Sequence, residues 1–208
     1  MLDVQTVMMF ITTSILLTLA PGPDILFVLT QSMTSGSRSG IMIALGLCSG
    51  LIVHTTAVAL GVAVIFQTSL IAFTILKIVG AAYLLYLAYQ CFKASSKSAL
   101  NAEKKAYTMG FLYKRGIVMN ITNPKVTIFF LAFLPQFTNP EMGNVTAQIF
   151  TLGGLFMASA FSVFCVVALL AGRLGEWFAT TKHGEKILNR LSGTIFAALA
   201  LQLAMSSR

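Results

Sequence analysis

Charge is scarce in this chain: Asp, Glu, Lys and Arg make up 10% of its 208 residues, and only six side chains are acidic. With 57% hydrophobic residues and a mean hydropathy of +0.86, that scarcity excludes an ordinary soluble domain, where about a quarter of residues are charged. Cysteine is rare too. Cys48, Cys91 and Cys165 form an odd, scattered set without Cys-x-x-Cys spacing, which excludes a disulfide framework and a zinc site and leaves small apolar packing residues. No Gly-x-x-x-x-Gly-Lys-Ser/Thr loop occurs, so ATP-driven work by this chain alone is excluded. Ser14, His54 and Asp24 could be assembled into a triad on paper, but no nucleophile elbow or metal-binding His-Glu spacing supports a hydrolase. Neither an enzyme nor a bound cofactor is expected.

What the chain has instead is long apolar runs. They cover Val4 to Thr34, Gly40 to Phe66, Leu70 to Phe92, Gly116 to Phe137, Val145 to Gly172, and Ile187 to Met205. Each is close to or above the roughly 20 residues that cross a hydrocarbon core about 30 Å thick. The expectation is an all-α membrane protein of six transmembrane helices, one transporter domain over 1–208 embedded in the lipid bilayer. The first run carries no basic residue before Arg38 and is too long for a secretory signal, so it reads as a retained span.

The net charge of +8 gains its meaning from where the basic residues fall. Arg38 lies between spans 1 and 2; Lys93, Lys97, Lys104, Lys105, Lys114 and Arg115 lie between spans 3 and 4; Arg173, Lys182 and Lys186 lie between spans 5 and 6. The loops after spans 2 and 4 hold none. By the positive-inside rule the first, third and fifth loops are cytoplasmic and both termini are periplasmic, with Arg190 near the inner end of span 6 snorkelling to the same side. Nucleic acid is not an expected partner, since the basic residues set topology.

Into the first span the sequence inserts "LTLAPGPDILF", residues 17 to 27. Pro21 and Pro23 remove the backbone donors that the carbonyls of Leu17 and Leu19 would use, and Gly22 lets the chain bend. The fourth span carries "NITNPKVTIFF", where Pro124 does the same to the carbonyl of Asn120. Helices 1 and 4 are therefore expected to break at proline. Asp24 and Lys125 each follow such a proline at once, in the first span of each three-span half. Halves of about 1–92 and about 112–208, joined by a basic cytoplasmic loop 93–115, have odd span counts and must run in opposite directions. Broken helices at matching places in inverted halves are the best sequence pointer to a transporter's binding site.

A buried Asp or Lys costs a span on the order of 3 kcal/mol, against roughly 0.5 kcal/mol gained per Leu, Ile or Phe. Asp24 and Lys125 are therefore expected to face the protein interior or a water-filled cavity, and to pair with each other when the site is empty. Half-helix N-termini favour an anion, and the freed carbonyls of Leu17, Leu19 and Asn120 favour a cation or ammonium. Asn120, Thr122 and Asn123 add neutral hydrogen-bond partners. A zwitterion fits this set, and an amino acid is the commonest small metabolite of that form. Asp24 is also a candidate carrier of a coupling proton. Lys77, some eight residues inside span 3, either snorkels outward or joins the site. His54 shares a helical face with Gly46 and Gly50, which reads as close helix packing with a polar contact, or as a second proton relay. Tyr83, Tyr86 and Tyr89 read as packing and interface anchors.

"LAPGPDILFV", the Gly-rich start of span 2, "LKIVGAAYLLYLAYQ" and "NITNPKVTIFFLAFLPQF" together resemble the LysE/RhtB superfamily of bacterial amino-acid exporters, in its homoserine, threonine and leucine exporter branch. The resemblance covers essentially the whole chain. It implies a six-span protein of the bacterial inner membrane that expels amino acids or close derivatives on the proton gradient. It marks Pro21, Gly22, Pro23 and Asp24, then Lys77 and Gly80, then Asn123, Pro124 and Lys125; Ala88 stands where relatives often have glycine. Export rather than import comes from the resemblance alone. The residues themselves leave open a passive channel for small zwitterions. They also leave open a thiol–disulfide conduit, although that chemistry needs a cysteine pair where Asp24 and Lys125 stand. The glycine-rich faces permit a homodimer without demanding one.

Overall fold

The computed structural model of the chain describes residues 2–62, 70–93, 107–180 and 184–205. The end of the second apolar run, most of the loop 93–115 with Lys97, Lys104 and Lys105, and Lys182 in the fifth loop lie outside the described residues. Among those described, every regular element is helical. They are α1 (Val4–Leu19), α2 (Pro23–Ser35), α3 (Ser37–Ala57), α4 (Leu70–Lys93), α5 (Met109–Thr122), α6 (Pro124–Ile128), α7 (Val145–Thr180) and α8 (Gly184–Met205). A π-helical turn, Val58–Val62, prolongs α3; α6 runs on through a π-helical stretch, Phe129–Phe133, and a 3-10 turn, Leu134–Phe137.

Three helical stretches are long and apolar enough by themselves to cross a membrane: Ser37–Gly61, Thr74–Lys93 and Val145–Ala171. Two more arise if each bent pair counts as one span. These pairs are α1 with α2, bent by 61°, and α5 with α6 and its continuation, bent by 51°. The sixth apolar run is helical as α8, but that helix mixes Asn189, Arg190, Ser192, Thr194 and Gln202 with its apolar residues and is not among these candidates. The outer surface is apolar: Val4, Ile52, Ile75, Leu85, Val166 and Leu201 are all more than half exposed, as suits a lipid-facing wall. Tyr86 and Tyr89 also point outward, with the Lys93 ammonium 5.6 Å from the Tyr89 ring.

Small residues set the packing. Gly46 of α3 and Gly116 of α5 face each other so closely that a methyl group on Gly116 would sit 2.6 Å from the Ile43 carbonyl oxygen, and one on Gly46 would strike the Tyr113 carbonyl. Lipid tails give no hydrophobic push between helices, so close backbone approach of this kind is what holds them together. α3 also packs along α7, α4 lies against α8, and α1 and α2 lie along α7. Gly50, one turn beyond Gly46, faces Asn120, and Gly80 of α4 faces Ala132 and Leu203. This contact brings the second break under α3.

Asp3 caps α1, its carboxylate accepting from the Thr6 hydroxyl at 2.7 Å and the Thr6 backbone N–H at 2.8 Å. Those bonds hold the Asp3 carboxyl below its usual range. Phe10 of α1, Phe129, Phe130, Phe133 and Phe137 after α6, and Phe156 of α7 form a buried aromatic block, with Phe10–Phe137, Phe129–Phe133 and Phe130–Phe156 centroids each 5.0 Å apart. The block begins one helical turn beyond Lys125.

Candidate functional site

Each break follows from a missing donor. Pro21 has no N–H for the Leu17 carbonyl, so α1 closes with the Ala20 N–H on Leu16 at 3.0 Å and ends. The chain restarts at Pro23, whose fixed φ suits a first helical position, after an extended Gly22 that gives α2 no side-chain cap. Asp24 then lies in the first turn of α2, where the helix dipole favours an acidic group. At the second break Pro124 deprives the Asn120 carbonyl. Asn123 takes an extended backbone and caps α6, its Oδ1 accepting from the Lys125 N–H at 3.0 Å.

The two breaks meet. Asn123 Nδ2 donates to Asp24 Oδ2 at 2.7 Å, a short bond of the charge-assisted kind. Lys125 Nζ donates to the Leu17 carbonyl at 3.2 Å and to the Ala20 carbonyl at 3.1 Å. The donor that Pro21 removed from Leu17 is thus replaced by an ammonium from the other break. At the second break the same thing happens with a different residue: the Asn120 carbonyl accepts from the Asn123 N–H at 3.1 Å and meets His54 Nε2 at 3.2 Å. A carbonyl only accepts, so this contact is a hydrogen bond in the tautomer that carries the proton on Nε2. Asp24 and Asn123 are each 3% exposed and Lys125 8%, so the cluster is closed off from its surroundings.

Gly22 makes this approach feasible. A methyl group there would stand 3.1 Å from Lys125 Nζ, tighter than ordinary contact. The structure therefore brings Asp24, Asn120, Asn123, Lys125 and His54 into one buried cluster with Pro21, Gly22, Pro23 and Pro124 as its backbone frame. Lys77 stands half-buried on α4, one turn before Gly80.

Three expectations are corrected. Asp24 and Lys125 do not bond each other: among the described residues each charge is held by neutral groups, Asp24 by the Asn123 amide and Lys125 by two carbonyls. Fixed dipoles replace the water that both ions lose on burial and so offset part of their desolvation. The second carbonyl that meets the ammonium at the first break is that of Ala20, not Leu19. Thr122 lies outside the cluster, exposed, with its hydroxyl on the Val118 carbonyl at 2.8 Å.

Sequence reasoning also missed unpaired acceptors. Asp24 Oδ1, Asn120 Oδ1 and Gln31 Oε1 are buried with no hydrogen-bond partner among the described residues. All three accept, so this interior is short of donors. No sequence signal singles out Gln31 beyond its being a polar residue in an apolar run. A separate groove of about 620 Å³ opens between α1 and α8, lined in part by Gln5, Thr12, Thr13, Leu16, Thr194 and Gln202. The cysteines stay free and half-buried on α3, α4 and α7, none of them on the helices that carry the breaks.

His54 gives the first mutational expectation. His54→Leu leaves the Asn120 carbonyl with the Asn123 N–H alone, a loss of about 0.5–1.5 kcal/mol, the net worth of one hydrogen bond. His54→Gln retains a donor of similar reach. Thermal unfolding in detergent should show a lowered midpoint for His54→Leu and a largely restored one for His54→Gln; equal midpoints for both would remove the carbonyl contact from the account.

The family model for the LysE type translocator matches residues 15–207. A homoserine/homoserine lactone efflux protein of Salmonella typhimurium (strain LT2) is 35% identical over 195 residues, 94% of each chain. A protein of the same description from Salmonella typhi is 36% identical over the same share. An uncharacterized membrane protein, YrhP, of Bacillus subtilis (strain 168) is 27% identical over 97% of this chain and 100% of its own. No solved structure matches. With a match spanning both breaks and every helix but the start of α1, the chain belongs to the LysE-type translocators, which are transporters and not enzymes.

Proposed function

We propose that this chain is a secondary transporter that exports amino acids or close derivatives across the bacterial cytoplasmic membrane on the proton gradient. Asp24, Asn123 and Lys125 are its substrate site, with Asn120 beside them, Lys77 as a further binding residue, and Asp24 or His54 as proton carrier. Six spans in two inverted halves, with both termini periplasmic, give the site equal access to either side by rocking of the halves. One observation carries the reading: a carboxylate and an ammonium, each in the first helical turn after a break, are buried together, Asp24 on the Asn123 amide and the Lys125 ammonium on the Leu17 and Ala20 carbonyls. Burial of all three favours a carrier over a passive channel, since a channel needs a continuous wet path past them.

Substrate candidates follow from the relatives. Homoserine and homoserine lactone, named for the Salmonella proteins, come first; threonine and leucine follow, as the resemblance to that exporter branch implies. The test is a panel of radiolabelled amino acids in everted membrane vesicles containing the protein. Accumulation of at least one of them that saturates and collapses with an uncoupler is the expected outcome. Linear, uncoupler-insensitive flux would make the protein a channel, and no flux of any zwitterion would sink the reading.

A further inference from the structure

We propose that the carbonyls of Leu17 and Ala20 are the seat for the substrate's ammonium group, and that Lys125 occupies this seat as a tethered stand-in until a substrate displaces it. The proposal rests on the transporter reading above and deepens it: it says which end of a zwitterion goes where, and what fills the site in between.

The geometry supports it from three sides. Leu17 and Ala20 lie at the C-terminal end of α1, where the helix dipole is negative and carbonyls lack helical partners; Pro21 removes the Leu17 donor outright. Such an end selects a cation that brings several N–H donors. Lys125 is that cation here, with two of its three N–H groups on the two carbonyls. A substrate ammonium is chemically the same head group, so it can replace Nζ bond for bond.

The second side is the neighbouring carboxylate. Asp24 uses Oδ2 for Asn123 and leaves Oδ1 buried and bare. A buried acceptor without a donor is costly, more so when it is charged, so the empty carrier retains an unmet demand for a donor near the seat. An incoming ammonium meets it. The third side is Gly22, whose lack of a side chain leaves room for the head group at 3.1 Å.

The exchange also gives the displaced lysine a task. Once released from the carbonyls, its ammonium is free to take the substrate carboxylate, beside the Asn123-capped start of α6. Binding thus swaps one ammonium for another in the seat and uses the freed charge for the other end of the ligand. The seat is never left without a cation, which keeps the first break satisfied through the empty half of the cycle.

The test uses the full-length protein in detergent and methylammonium as the probe, a primary ammonium without a carboxylate. Tetramethylammonium, which has the charge but no N–H donor, is the control at equal ionic strength. In Lys125→Ala the seat is vacant, and methylammonium at ten times its dissociation constant should raise the unfolding midpoint by about 4 °C over the control. In the wild type, where Nζ fills the seat, it should raise nothing. No rise in Lys125→Ala, or an equal rise in the wild type, overturns the proposal. Should Lys125→Ala yield no folded protein, cell-free synthesis into lipid nanodiscs with methylammonium or tetramethylammonium takes its place. A higher yield of monodisperse protein with methylammonium only is expected, and equal yields overturn the seat. Amino-acid flux in vesicles is untouched by either result, so loss of the seat and loss of the transporter reading are told apart.

Discussion

Asp24→Asn is expected to reduce uncoupler-sensitive amino-acid flux by about 100-fold or more while the protein still reaches the membrane. The substitution keeps the shape of the side chain, and a rotated amide can still accept from Asn123 Nδ2, so the 2.7 Å contact is preserved in outline. What goes is the negative charge. Lys125, 8% exposed, then has two carbonyl dipoles but no carboxylate beside the break. Leaving one partner of a buried charged set uncompensated costs about 3–5 kcal/mol. Where that cost falls on the barrier to transport, at roughly 1.4 kcal/mol per tenfold in rate, it corresponds to a loss of at least about 100-fold. Lys125→Met gives the mirror image, a lone carboxylate and two bare carbonyls, and the same scale of loss. Immunoblots of membrane fractions separate inactive protein from absent protein. Full flux in either variant at wild-type membrane levels would remove that residue from the mechanism.

The legible part of this site is the part written in local chemistry. A proline deprives one particular carbonyl, so Leu17 and Asn120 follow from Pro21 and Pro124 by counting back four residues, and both carbonyls do accept from groups outside the ordinary helical pattern. A charge that costs a span several kcal/mol must be turned inward, and both Asp24 and Lys125 are buried. The choice of partners is not local. Lys125 reaches a carbonyl 108 positions away and Asn123 a carboxylate 99 positions away, and no spacing rule links such residues. Ala20 in particular has no side-chain chemistry to draw attention; its carbonyl matters because the chain turns there. Helix limits diverge from hydropathy for a related reason. The apolar run begins at Gly116, but α5 starts at Met109 behind a Thr108 cap, so Lys114 and Arg115 are helical and the Arg115 guanidinium lies 5.0 Å from the Phe27 ring. A helix continues as long as its backbone bonds are satisfied, whether or not its side chains suit lipid.

Asn123 is where the two breaks can be uncoupled, and its variants should rank in a fixed order. The side chain does two jobs at once: Oδ1 caps α6 through the Lys125 N–H, and Nδ2 holds Asp24. Asn123→Ala removes both, a cap worth about 1 kcal/mol and a bond to a charged acceptor worth about 1.5–3 kcal/mol. Asn123→Ser keeps a hydroxyl able to cap the half-helix but too short to reach the carboxylate. Asn123→Asp caps as well as asparagine yet sets a second carboxylate against Asp24, where two like charges at hydrogen-bond distance cannot both stay ionised. If the bridge matters for transport and the cap only for stability, the serine variant unfolds above alanine but below the wild type, and loses flux almost as fully as alanine. Aspartate, with the cap intact, would then be the least active of the three. A serine variant with wild-type flux would instead confine Asn123 to capping, and the link between the two breaks would have to run through Lys125 and the α1 carbonyls alone.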